Sequence, residues 1–148
     1  PSIDGVVTGE LRDATLFVAM SSGANLLIDA GRQAEALVLA QRGVATATQL
    51  LPEGHPFIGF AQGTLAKVLL LSDRVAEAEE PARRAVDIMA VGLGPKHRNT
   101  LAALHNLGVI LARLGRFEEA ITLTMSGHVD LLAADPGNAI NQPVTASN

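Results

Sequence analysis

A 42-residue period runs through the chain and constrains its fold more than any other feature. Gly31-Arg32, Asp73-Arg74 and Gly115-Arg116 are each 42 residues apart, and Glu35-Ala36, Glu77-Ala78 and Glu119-Ala120 follow at the same spacing. Aligning residues 17–58, 59–100 and 101–142 gives five columns identical in all three units: Ala19/Ala61/Ala103, Leu27/Leu69/Leu111, Arg32/Arg74/Arg116, and the Glu and Ala of the Glu-Ala pair. A sixth column stays small, as Ala24, Ala66 and Gly108. An alanine-rich composition produces one or two such matches, not five in one ungapped register. The chain is therefore read as three copies of one supersecondary unit, with a flank at residues 1–16 and a tail at 143–148.

Within a unit the apolar spacing is helical. Leu101, Leu104, Leu107, Ile110, Leu111 and Leu114 recur at steps of three and four, as on one helix face. Gly115 follows, the residue that takes positive φ at a helix end without steric cost. A second amphipathic run extends from Phe117 through Leu132 and ends at Asp135-Pro136-Gly137. The earlier units close their second helices at Leu51-Pro52-Glu53-Gly54 and Gly92-Leu93-Gly94-Pro95, and Asn99-Thr100 supplies capping-type side chains before the third. Each unit is thus a helix–turn–helix, and the chain is all-α with six helices. Two helices joined by a tight turn approach closely only where one presents Ala or Gly, which accounts for the small columns. Pro81 lies inside the second unit's second helix, where it removes a donor and clashes with the preceding turn. A kink is expected there rather than a break, because the apolar pattern resumes from Arg83 to Met89.

Composition narrows the function classes. The net charge of −4 lacks the basic excess that phosphate-backbone binding requires. Four Phe without Tyr or Trp make poor base-stacking platforms. The absence of Cys removes thiol catalysis, disulfides and zinc fingers. At 48% hydrophobic and 18% charged residues the chain is too apolar to be disordered. The uncharged stretches Ala14–Ile28 and Asn99–Ala112 fall short of the roughly 18–20 apolar residues that spanning needs, and no signal-peptide pattern opens the sequence. A soluble, cytoplasmic protein without nucleic-acid binding or membrane insertion is expected.

These residues resemble tetratricopeptide repeats, in the 42-residue form seen in kinesin light chains. The resemblance rests on Leu104-His105-Asn106-Leu107-Gly108-Val109, on Leu114-Gly115-Arg116-Phe117-Glu118-Glu119-Ala120, and on Ala76-Glu77-Ala78-Glu79 with Arg83-Arg84-Ala85. The linkers Leu51 to Pro56 and Leu93 to Arg98 carry the same stamp. It spans residues 17 to about 138 and departs at Gln33, where an aromatic is usual, and at Pro81, one place later than a common proline. The usual unit is about 34 residues, so each helix here is expected to gain roughly one turn.

The resemblance implies a right-handed α-α superhelix whose first helices line a concave groove for a peptide or helical segment of a partner protein. Carried onto this sequence, the groove positions are Ser21, Asn25 and Asp29; Gly63, Lys67 and Leu71; and His105, Val109 and Arg113, with Ser22, Thr64 and Asn106 beside them. The spacing of four places each trio on one helical stripe. Members that clamp a C-terminal carboxylate do so with Lys, Asn and Arg at set positions. Those positions hold Ser21, Asn25, Thr64, Ala102 and Asn106, of which only Asn25 fits, so that clamp is not expected.

No catalytic constellation, phosphate loop or metal-ligand spacing is found, and a non-enzymatic interaction scaffold without cofactor or metal is the leading reading. A regulatory segment of a larger protease- or kinase-type enzyme is the alternative. His55 and His97, one period apart in equivalent linkers, are assigned a structural role at the unit junctions. His105 is open to ligand contact or plain solvation, and His128 with Asp130 lacks helical ligand spacing. The basic cluster Arg83, Arg84, Lys96 and Arg98 is read as solvation. Solenoids need polar terminal caps, yet the last helix carries Ile121, Leu123, Val129, Leu131 and Leu132, and the first sixteen residues, with Gly5 and Gly9, make an unconvincing cap. Either a homodimer closes the uncapped end through Ile121, Val129, Leu131 and Leu132, or neighbouring repeats in a longer chain cover it.

Overall fold

The computed structural model describes residues 3–134, with side-chain environments for residues 16–127. Three helical hairpins follow one another: α1 (Ile3–Asp29) with α2 (Gln33–Leu50), α3 (Pro56–Leu71) with α4 (Val75–Gly92), and α5 (Arg98–Arg113) with α6 (Phe117–Ala134). Helix α4 runs unbroken through Pro81. The flank does not stand apart from the first unit: α1 is 27 residues long and begins at Ile3, passing through Gly5 and Gly9. Each glycine costs a helix only about 1 kcal/mol relative to Ala, and no proline intervenes to stop it.

The identical columns are explained by the turns and the hairpin contacts. In every unit the Arg amide closes a six-residue loop onto the Leu carbonyl: Arg32 to Leu27 at 2.8 Å, Arg74 to Leu69 at 2.9 Å and Arg116 to Leu111 at 2.8 Å. This closure demands a left-handed residue just before the Arg, and Gly31, Asp73 and Gly115 have φ of 77°, 60° and 84°. The same Arg side chains then bind the Glu three residues on, Arg32 to Glu35, Arg74 to Glu77 and Arg116 to Glu119. Ala36, Ala78 and Ala120 are buried where each second helix meets its neighbours.

Between units the packing repeats as well. Val68 shares a buried cluster with Ala24, Ala36 and Ala40, and Ile110 shares one with Ala66, Ala78 and Ala82. The histidine-bearing linkers start α3 and α5. Nδ1 of His55 accepts from the Phe57 amide and Nδ1 of His97 from the Asn99 amide, each at 3.1 Å. His97, not Asn99 or Thr100, is therefore the cap of α5. Thr100 is buried instead, its hydroxyl donating to the Gly94 carbonyl at 2.8 Å.

The second and third units are also joined by a closed ionic ring. Glu79 accepts from Arg83 at 2.9 Å and from Arg116 at 2.7 Å, and Glu119 accepts from the same two guanidinium groups. Burial works against the Glu79 carboxylate, but the two Arg bonds outweigh it and hold its pKa below the usual range. The Arg83 bond dominates at Glu119 and lowers it too, against some burial and with help from Arg116. At the first junction the equivalent positions are Leu37 and Gln41, and no such ring forms among the described residues.

Candidate functional site: a groove along the first helices

Two adjoining cavities lie along α1, α3 and α5. The first, about 350 Å³, is lined by Phe17, Val18, Ser21, Ser22 and Asn25 of α1 and by Phe57, Phe60 and Thr64 of α3. The second, about 210 Å³, shares Asn25, Phe60 and Thr64 with it and continues over Lys67 to Asn99, Ala102 and Asn106 of α5. Helix geometry sets the lining. Phe60, Thr64 and Lys67 follow at steps of four and three on α3, and Asn99, Ala102 and Asn106 at steps of three and four on α5.

The chemistry changes along the groove. Its α1–α3 end has three phenyl rings, Phe57 and Phe60 tilted against each other at 6.2 Å. Its α3–α5 end is a rim of amides. Between them, Lys67 donates from Nζ to Asn25 Oδ1 at 3.0 Å, a bond linking residues one period apart. The Thr64 hydroxyl is tied back to the Phe60 carbonyl at 3.1 Å. Among the described residues, Lys67 is the only Asp, Glu, His, Lys or Arg lining either cavity, so the groove they form presents hydrogen-bonding and apolar surface rather than an acid–base pair.

Of the positions read from the sequence, Ser21, Ser22, Asn25, Gly63, Thr64, Lys67 and Asn106 are brought together here. Asp29, Leu71, His105, Val109 and Arg113 line neither cavity. Asp29 and Leu71 are exposed near the helix ends, His105 is exposed, and Val109 is half-buried. Arg113 reaches back to Asp73 Oδ1 at 3.1 Å and the Leu70 carbonyl at 3.4 Å, bracing the α3–α4 turn. On α5 the lining stripe is thus one residue round from the inferred one, through Asn106 rather than His105. Ile121 is exposed on α6. Val129, Leu131 and Leu132 belong to α6, but their side chains lie outside the described residues.

Sequence reasoning missed Val18, Phe57, Phe60 and Asn99. Phe60 sits one helical turn before Thr64, so extending that stripe backwards finds it. Val18 and Phe60 share one repeat column with Ala102, the one member of it named among the clamp positions, and the dissimilarity of the three hides the column from identity.

Among the described residues, no group of three or more metal-ligating side chains occurs and no helix is long and apolar enough to cross a membrane. Helical hairpins stacked at a fixed period beside a lined groove define an α-solenoid. The tetratricopeptide repeat family matches residues 18–57 and 83–123, and the chain belongs to it. It is similar to the crystal structure of the nearly identical TPR-like repeats of a Podosopora anserina protein described as a kinesin light chain, with 28% identity over 78% of this chain and a TM-score of 0.70. A point variant of that protein matches equally well, at 28% identity and TM-score 0.70. The chain spans about half, 54%, of the length of those structures. No curated protein matches the sequence. Repeats of this family are generally protein–protein interaction scaffolds and typically non-catalytic.

Proposed function

We propose that the chain is a non-enzymatic scaffold whose groove takes up an extended peptide segment of a partner protein. The observation that carries this reading is the groove lining: phenyl rings at one end, amides at the other and a single ammonium between. An extended peptide presents a backbone donor and acceptor at every residue, and Asn25, Asn99 and Asn106 can meet both with one amide side chain. A pocket floored by aromatic rings gives such a peptide a place to bury one apolar side chain.

The test is selection from a displayed peptide library, followed by amide shift mapping and titration. Selected peptides should perturb the lining of α1, α3 and α5. Combined Asn25→Ala, Lys67→Ala and Asn106→Ala should weaken their binding by roughly tenfold or more, equivalent to about 1.4 kcal/mol, with helicity unchanged. Arg42→Ala, on α2 and outside both cavities, should bind as the wild type does. Peptides that map to α2, α4 and α6 would place recognition on the other face and end this reading.

A further inference from the structure

Gln62 lies on the side of α3 opposite Phe60 and Thr64, and there it lines a cavity of about 410 Å³ with Gln41 of α2 and with Glu77, Glu80 and Pro81 of α4. Gln62 is 5% exposed, yet its amide has no hydrogen-bond partner among the described residues. Met20 and Leu104 hold the same column in the other units. Packing is thus met by an apolar side chain in those units, and the amide is peculiar to the first junction. A buried amide is destabilising unless some partner satisfies it. Pro81 leaves a second group short. It has no amide to donate, so the Glu77 carbonyl one turn back lacks its intrahelical donor.

The second junction shows what can stand in such a space. Moved by one period, Gln41 and Glu77 become Arg83 and Glu119. There the Arg83 guanidinium donates to Glu119, which also holds Arg116 of its own turn. Glu77 has the counterpart of Arg116, which is Arg74, but not that of Arg83. A carboxylate has about four lone-pair sites, so it can take two guanidinium groups, as Glu119 does. Arg83 is also held by Glu79, where the first junction has Leu37. In place of that carboxylate the first junction offers the Gln62 oxygen and the Glu77 carbonyl.

We propose that this cavity is a second binding site, independent of the groove, that takes the guanidinium of an arginine side chain from a partner protein. The group would fill the role that Arg83 fills at the next junction. A guanidinium carries five donors in a planar fork and no acceptor, which suits a cavity of amide oxygens, a carbonyl and carboxylates. An ammonium is a point charge without that fork. The cations beside the cavity are already paired, Arg74 with Glu77 and Arg84 with Glu80. Both pairs are exposed, so they are worth little and water screens the added charge. The net charge of −4 favours the approach of a cation. A contact through one side chain is roughly millimolar in strength. It fixes the register of a partner held elsewhere and does not by itself retain a displayed peptide.

Titration of the isotope-labelled chain with Nα-acetyl-arginine methylamide, followed at the side-chain amides of Gln62 and Gln41, tests this. Both signals should shift and saturate, while Asn25 and Asn106 in the groove stay still. The capped lysine analogue keeps the charge without the fork, and the capped citrulline analogue keeps the planar shape without the charge. Each should bind roughly tenfold or more weakly than capped arginine. Gln41→Arg should close the site from within, as Arg83 does at the second junction, and abolish the response of Gln62. Gln62→Leu, the residue of the third unit, should weaken binding by roughly tenfold, read at Gln41. Should Gln62→Leu fail to fold, Glu77→Gln removes a different acceptor of the same site. The absence of a saturable shift at Gln62 overturns the proposal, and so does a response confined to Asn25 and Asn106. Equal binding of capped citrulline makes the cavity a neutral amide site, and equal binding of capped lysine makes it a site for charge alone; either result overturns the assignment. Free L-arginine binding roughly tenfold tighter than the capped form would make the ligand a free amino acid and overturn its origin in a partner protein.

Discussion

An imidazole nitrogen is an uncommon helix cap, yet Nδ1 of His55 and His97 each satisfies an amide that the first turn of α3 or α5 leaves without an intrahelical partner. Replacing His97 by Ala should cost about 1 kcal/mol in urea unfolding, the usual worth of a cap, whereas His97→Asn should restore most of it because the Asn oxygen accepts in the same place. Equal stability for both variants would show that the cap contributes nothing. The α3–α4 turn offers the opposite experiment. Asp73 holds the left-handed conformation, φ 60°, that Gly31 and Gly115 hold in the other units. Asp73→Gly relieves that strain and should stabilise the chain by about 0.5–1 kcal/mol. It also removes the ion pair to Arg113, in which Asp73 is 90% exposed. An exposed pair is worth only about 0.2–1 kcal/mol, and often nothing measurable, so the conformational gain should win. A lower melting temperature would reverse that ranking.

At the scale of helices and their contacts, the identical columns record what every unit must do, and that is why so much of the fold was legible. Leu, Arg and Glu close and brace the turn, and Ala keeps the helices close. Ala78 is 0% exposed, and Ala78→Leu should destabilise by about 1–3 kcal/mol through overpacking. An unchanged melting temperature would put Ala78 away from the contact. The caps were only half legible: the paired histidines announced a junction role, but Asn99-Thr100 is the stronger capping signal in sequence and drew the assignment away from His97. The groove was less legible for a physical reason. Packing is shared by all units and so repeats, whereas a recognition surface differs from unit to unit, as Val18, Phe60 and Ala102 do in one column. The start of α1 was hidden because Gly5 and Gly9 weaken a helix without ending it. Nor does identity betray the ionic ring, whose Glu79 and Arg83 replace Leu37 and Gln41 of the first unit. Because Glu79 and Glu119 are held below their ordinary pKa, the ring's contribution is complete above the carboxylates' unfolded-state values. It is lost as pH falls through their lower folded-state values. Melting followed from pH 6 to 3 should therefore fall more steeply for the wild type than for Glu79→Leu with Arg83→Gln, which copies the first junction into the second. Parallel curves would leave the ring without a part in stability.

Among the described residues each hairpin packs only on its neighbours, so stability is a sum of unit and junction contributions and opening proceeds from the ends. Among the described residues, the five largest fully buried side chains, Leu107, Ile110, Leu111, Val68 and Thr100, all belong to α3 and α5. Amide exchange should accordingly be slowest in those two helices and faster in α1 and α6. The two ends should not respond alike to conditions. Helix α2 is held to the second unit by apolar packing through Leu37, Ala36 and Ala40. Helix α6 packs its backbone on α5 and reaches α4 through the ring of Arg83, Arg116, Glu79 and Glu119. Salt screens partly exposed charges and leaves apolar burial intact or strengthened. Raising sodium chloride from low to roughly molar concentration, where the Debye length shrinks to about 3 Å, should speed exchange in α6 while α2 holds its protection. The Glu79→Leu, Arg83→Gln variant removes the charged half of the ring contributed by α4, so its α6 protection should no longer depend on salt. If α2 and α6 lose protection together in the wild type, the two junctions are equivalent and the ring does not distinguish them.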